Sequence, residues 1–332
     1  MKNFITTDEQ LHAVAGVNDT FGVDVLAPDL ELVLSQDVRP LLGDELVDEL
    51  LAAQAADTLT DAQDKLVYYL QGALANLALV EYLPLAQVQL SQMGVALKVD
   101  KTAFLWQIRD LRASFVRKGY NYLERALTLL DKPSEADFEV WRQSAAGAAA
   151  RQYLLSSARD FSEWCNIGAS RLVFNALLPS LRKVEAFDVA PTLGPEFYQE
   201  LKQQARTRSL TLENALLLSM YVQPALASLT VAKAVPEVGL SLNGQALELN
   251  VYRFDDAAAT PTAGAPLAAL LEQKVQAAQA DGHRYLQLLR GYLNREASPT
   301  RFATYFNSNT YQPAGPRPVV RNDEANPAYF AF

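Results

Sequence analysis

Asp37-Val38-Arg39-Pro40-Leu41-Leu42-Gly43 and Asp188-Val189-Ala190-Pro191-Thr192-Leu193-Gly194 are two versions of one heptapeptide, and their reading decides the fold. What surrounds them repeats in the same order. Glu45, Glu49 and Leu50 match Glu196, Glu200 and Leu201, and Leu59-Thr60 matches Leu210-Thr211. Val88, Leu90 and Gly94 match Val238, Leu240 and Gly244. Gly119, Tyr122, Leu123 and Leu130 match Gly282, Tyr285, Leu286 and Leu293. At the edges Ile5, Leu11 and Val17 face Leu155, Phe161 and Ile167, and Phe138, Trp141 and Ser144 face Phe302, Tyr305 and Ser308. Collinear blocks of this kind mark an internal repeat. We read a helical unit at 1–144, a small-residue connector at 145–151, a second helical unit at 152–308 with an insertion near Asp255 to Pro266, and an extended aromatic tail at 309–332.

One unit reads as mainly α. Thr6-x-x-Glu9 predicts a capping box opening a first helix. Pro28 is placed in the first turn of a second helix, where its missing N–H costs nothing. Helical spacing then runs through Leu30, Val33, Leu34, Val38 and Leu41 to a stop at Gly43, with Asp44 capping the next helix. A long helix from about Thr60 to Tyr82 is ended by Pro84. The apolar period then becomes alternating. Val88 and Leu90, then Val95, Leu97 and Val99, predict a β-hairpin; its counterpart, Leu240, Leu242, Asn243-Gly244, Leu247, Leu249 and Val251, has Asn-Gly at the turn. A last long helix is expected from Thr102 to Leu130, and again from Pro266 to Leu293. Each unit is thus a helical bundle with one β-hairpin before its last long helix.

The chain has 332 residues, half of them hydrophobic and 20% charged, so each half is long enough to bury a core. A net charge of -9 excludes a sequence-wide basic footprint for nucleic acid, and leaves only a local cluster at Arg112, Arg117 and Lys118. The single Cys165 forbids an intrachain disulfide. No signal peptide is read in the first residues, and no apolar run is read as approaching a membrane span.

No residue set reads as catalytic, cofactor-binding or metal-ligating. His12 and His283 are the only histidines, and they align with Ser162 and Tyr120, so neither unit needs an imidazole. Cys165 aligns with Ala15 and reads as small packing. Asp44, Glu45, Asp48 and Glu49 cluster where carboxylates favour a helix start. Phosphate-loop, nucleophile-elbow, zincin, EF-hand and C-x-x-C patterns are missing from the sequence. The aromatic end stands out instead. Tyr305, Phe306, Tyr311, Tyr329, Phe330 and Phe332 lie on or beside a proline-broken stretch and are candidate inter-subunit contacts, unless they dock on their own bundle.

The D-V-x-P-x-L-G pattern, followed by a helix, a long helix, a hairpin and a last helix with G-x-x-Y-L, resembles an uncharacterised structural family from bacterial phage and prophage gene clusters. The layout also resembles the head–tail connector (adaptor) proteins of tailed phages, here doubled. The resemblance implies a non-enzymatic ring subunit without cofactors, whose partners are further copies and neighbouring particle proteins. It implies assembly in the bacterial cytoplasm and then residence in the virion or phage-like particle. An acidic balance suits a channel through which DNA passes without sequence-specific binding; no membrane partner is expected. A helical scaffold for a peptide or partner protein is the alternative reading, and an enzyme with a dispersed site the third.

Overall fold

A computed structural model describes residues 3–86, 88–91, 94–97, 105–132, 136–239 and 264–313. In the first unit the elements are α1 (Asp8–Val14), α2 (Val23–Val33), a π-turn (Leu34–Val38), α3 (Arg39–Leu42), α4 (Asp44–Ala55) and α5 (Asp61–Ala86). The hairpin β1 (Val88–Ser91) and β2 (Gly94–Leu97) follows, then α6 (Leu105–Leu130), α7 (Glu139–Gln143) and α8 (Ala145–Ala150). The second unit runs α9 (Ala158–Trp164), α10 (Arg171–Val184), a π-turn (Glu185–Val189), α11 (Ala190–Leu193) and α12 (Pro195–Thr207). It continues with α13 (Leu212–Leu217), a π-turn (Leu218–Val222), α14 (Gln223–Gly239), α15 (Gly264–Glu296) and α16 (Ala303–Phe306). Each unit is built around a helix pair, α5 with α6 and α14 with α15, and has its own core.

The repeat extends to details that no motif search would pick out. Gly43 and Gly194 both adopt φ near +80° with extended ψ (82° and 80°), a conformation open essentially to glycine alone. Asp57 and Arg208 are both left-handed at φ 54° and 56°. The Gln71 and Gln223 amides each donate to the opening segment of their unit, at the carbonyls of Phe4 and Leu154. The Ser144 and Ser308 hydroxyls donate to the carbonyls of Trp141 and Tyr305, at 2.7 Å in both cases. Gly119 of α6 is pressed on Leu77 of α5, as Gly282 of α15 is on Leu229 of α14. A methyl group at either glycine would force its leucine to move.

Three π-turns occur among the described residues, and each is followed two residues beyond its end by a proline: Pro40, Pro191 and Pro224. On leaving a π-turn the ladder returns from i→i+5 to i→i+4 bonding, and one carbonyl is skipped. A residue with no N–H is least costly at that register change. The position of α5 that matches Pro224 is Gly72, and α5 runs there without a π-turn. The extra residue of the third π-turn lets Pro84 and Pro236 fall at matching places again.

Several sequence expectations are corrected. The first cap is Thr7, whose hydroxyl accepts from the Gln10 N–H while the Gln10 side chain accepts from the Thr7 N–H; Gln completes the box as well as Glu, one residue later than expected. Pro28 lies inside α2, which starts earlier, where Asp8 accepts from the Val23 N–H. The lost bond of Pro28 would have gone to the exposed Asp24, whose carbonyl water can satisfy. Gly43, not Asp44, is the cap of α4. Pro84 does not end α5, which runs on to Ala86, because one missing bond near the end does not unwind a helix packed along α6. Val238 belongs to α14 whereas Val88 opens β1, so those two do not correspond.

The β1–β2 pair is antiparallel, Val88 opposite Leu97 and Ser91 opposite Gly94. Val99 and the second hairpin expected from Leu240 to Val251 lie outside the described residues. The connector is not a free linker: α8 packs on α3 and α7, and Gly147 sits directly on the Trp141 carbonyl. Two helical runs, Asp61–Ala86 and Leu212–Glu237, are long and apolar enough to cross a membrane by length and composition, contrary to the sequence reading. Most of each is buried as the central helix of its unit, which accounts for its apolar composition without a membrane.

Candidate interaction surface at the junction of the units

The two units meet where the C-terminal half of α6 faces the start of α10 and the opening segment of the second unit. Apolar residues close this seam only in part. Its centre is an ion pair: Arg171, the first residue of α10, donates from Nε to Glu124 Oε2 at 2.6 Å, with both side chains about a tenth exposed. The guanidinium also lies over the Phe174 ring at 5.1 Å. Ser170 fixes the approach by capping α10 at the Val173 N–H. Removing one partner of such a pair leaves a buried charge and costs about 3–5 kcal/mol.

A second cluster closes the far side. Asp131, at the end of α6, faces Arg151 at 3.7 Å and forms an ion pair with Arg208. Arg151 also donates to the Arg142 carbonyl, and Arg142 donates to the carbonyls of Leu130 and Lys132 and to Glu139. Burial pushes the Arg151 guanidinium below its usual value, an effect Asp131 partly offsets. Between the pairs lies an open cleft of about 600 Å³, lined by charged groups of both signs, among them Glu124, Asp131, Arg159, Asp160 and Glu163. A smaller recess of about 390 Å³ shares Glu124 and Arg159 and reaches Tyr69 and Arg125. The cleft walls come from the end of α6, the opening segment of unit two and residues 205–223, stretches distant in sequence, so no local pattern could have announced them.

The residues singled out in the sequence fall elsewhere. His12 Nε2 is 2.9 Å from the Phe21 carbonyl, a contact that ties α1 to the following loop; His283 is exposed on α15. Cys165 is half-buried, and burial pushes its thiol up despite a hydrogen bond with Ser228, which argues against an activated nucleophile. Asp44 and Asp48 hold Arg39 at 2.7 and 2.9 Å. No group of three or more metal-ligating side chains occurs among the described residues. Arg112, Arg117 and Lys118 are exposed on α6, away from the junction cleft.

The aromatic end divides. Tyr305 is fully buried in the second core, with Phe197 at 6.0 Å and its hydroxyl donating to Asn294. That burial corrects its assignment as an inter-subunit contact. Phe306 and Tyr311 pack on the same core, 4.8 Å from one another, and so serve their own unit at least in part. Tyr329, Phe330 and Phe332 lie outside the described residues.

The described residues define a tandem helical protein whose two like units are joined by a polar, ion-paired seam. Residues 38–151 and 189–315 each match a family of unknown function (DUF6712), and the chain belongs to that family. The first matched segment runs through most of unit one and its connector, the second through most of unit two into the tail. No curated protein and no solved structure matches the chain.

Proposed function

We propose that this chain is a non-enzymatic structural subunit of a phage or phage-like particle, a neck, head–tail connector or tail-associated ring component. The observation that carries the reading is the duplication itself. Two units of one fold are fixed head to tail by a directional seam, an arrangement suited to repeated placement in an assembly. The helices-plus-hairpin layout, which resembles phage adaptors, supplies the phage assignment. The β1–β2 hairpin of unit one would add contacts to neighbouring particle proteins. The chain would assemble in the bacterial cytoplasm, and DNA would pass its acidic surfaces without specific binding.

Purification of particles from the source bacterium, with mass spectrometry and electron microscopy, tests this. The chain is expected at a fixed stoichiometry at the neck or tail. Particles that lack it, together with a purified protein that stays monomeric beside the products of neighbouring genes, would overturn the proposal. The open cleft at the seam favours a second reading, a scaffold that holds a partner's peptide; that reading predicts a stable complex with one partner outside any particle.

A further inference from the structure

Unit one presents one face of its last helix to unit two, and unit two receives it on its opening segment. Because the units share a fold, each also has the face that the seam does not use. Unit two's last long helix, α15, ends with a donor face like that of α6. Unit one's opening segment offers a receiving face like that of unit two. The two free faces are chemically related to the buried seam in a specific way.

Inside the chain the ion pairs of the seam run from acids on the donor face, Glu124 and Asp131, to bases on the receiving side, Arg171, Arg151 and Arg208. On the free donor face the position of Glu124 holds Gln287, that of Leu127 holds Arg290 and that of Lys132 holds Arg295; all three are exposed. On the free receiving face the position of Arg159 holds Glu9, that of Arg171 holds Thr20 and that of Arg208 holds Asp57; these are exposed as well. Asp57 keeps the left-handed backbone of Arg208, so its side chain leaves the chain in the same direction. The acids of the internal donor face give way to neutral Gln287 and to Asn294, which already accepts from Tyr305 and Gln312 of its own chain; Arg290 adds a positive charge, and Lys132 keeps its sign as Arg295, paired with Glu296. On the receiving side Arg159 and Arg208 give way to Glu9 and Asp57, so the free donor face is basic through Arg290 and the free receiving face acidic. The buried Glu124–Arg171 pair would become a neutral Gln287–Thr20 pair, able to hydrogen-bond without desolvating charge. Half-exposed Leu288 adds apolar surface beside it.

We propose that the α15 face around Gln287, Arg290 and Arg295 docks on the face formed by Glu9, Thr20 and Asp57 of a second copy of this chain, repeating the internal seam with its charges exchanged. The contact is heterologous, so it propagates to a closed ring or a filament. The exchange of sign also sets register. Two second units, or two first units, would meet like charge with like charge. This inference takes its partner from the proposed role in an assembly, but its surfaces stand on the internal seam.

Sedimentation velocity of the full chain, across a concentration series at low and high salt, tests it. Species heavier than one chain are expected to grow with concentration and to shrink in high salt. Asp57→Arg and Arg290→Glu should each lower self-association about tenfold or more, and the two variants mixed with one another should recover at least part of it. Asp57→Arg copies the residue and backbone of Arg208, so the fold is kept, and circular dichroism checks this. A chain that stays single at the highest concentration in low salt overturns the inference, as does association that neither variant alters. Presence in particles with charge variants that associate normally would remove this interface and leave the proposed function standing. Association through these faces by a protein absent from particles would do the reverse.

Discussion

The same corner of the two units is built from opposite chemistry. In unit one, Phe4, Leu34, Val47 and Leu51 are all buried in the first apolar core. In unit two the matching positions are Leu154, Glu185, Tyr198 and Lys202. Glu185 is buried at the start of the π-turn and accepts from the Leu154 N–H at 3.0 Å and the Tyr198 hydroxyl at 2.7 Å. It also pairs with Lys202, whose ammonium lies over the rings of Tyr153 and Tyr198. Burial and the neighbouring Glu185 push the Tyr198 phenol up, so it stays a donor over any ordinary pH. A charge in a core is tolerated when every lone pair is answered, and a backbone can keep its shape while the stabilising term changes from burial to a satisfied network. The difference locates the shared fold in the backbone-critical residues, the glycines, prolines and caps.

The comparison can be broken most sharply by removing one member of the network. Lys202→Leu, which gives unit two the residue of unit one, leaves Glu185 buried without its cation. It should cost about 3–5 kcal/mol by urea unfolding, whereas Leu51 sits at ease in the matching place. A loss below about 1 kcal/mol would mean that Glu185 is hydrated in the folded chain.

Next in size are the helix contacts the units share. Gly119→Ala and Gly282→Ala should each destabilise by about 1–3 kcal/mol, because the added methyl meets Leu77 or Leu229. Gly282→Ala should be the worse, since the Leu229 backbone nitrogen also lies 3.2 Å from that methyl. Paired thermal melts would show it; a gain at either site, as helix propensity alone would give, contradicts the close approach of the helices.

The smallest effect concerns an acidic corner found only in unit one. Asp29 and Asp37 have their carboxyls pushed up, by burial first and then by Glu81. In unit two the places of Asp29 and Glu81 hold Ser180 and Lys233. A carboxyl whose folded pKa is raised binds its proton more tightly when folded. Its unfavourable contribution is therefore absent below the ordinary aspartate range and grows as pH climbs through the raised value. Glu81→Lys should raise the melting temperature at neutral pH, by less than about 1 kcal/mol in stability. The gain should vanish near pH 3. A pH-independent gain would assign it to helix propensity.

The duplication was legible because the residues that fix the backbone are chemically narrow. Gly43 and Gly194 admit no replacement at their φ, and Trp141 and Tyr305 fill the same core position, so these survive divergence. The helices were legible from their period, though their ends were not, because prolines 28 and 84 lie where the lost bond is cheap. The π-turns left no compositional trace before each one's following proline is noticed. The seam was invisible: Glu124 and Arg171 are separated by 47 residues, and an ion pair between distant segments has no local signature. Glu185 could have been flagged only as a charge at an apolar position of the repeat, aligned with Leu34.

The most direct test of one fold built twice is to give unit two the corner of unit one outright, as Glu185→Leu, Tyr198→Val and Lys202→Leu together, and to measure urea unfolding with hydrogen exchange of both units. The account predicts a folded, cooperative protein within about 1 kcal/mol of the parent or more stable, with exchange protection of α10 to α12 retained. Loss of that protection, with unit one intact, would mean that the two corners are not equivalent and that the units only look alike.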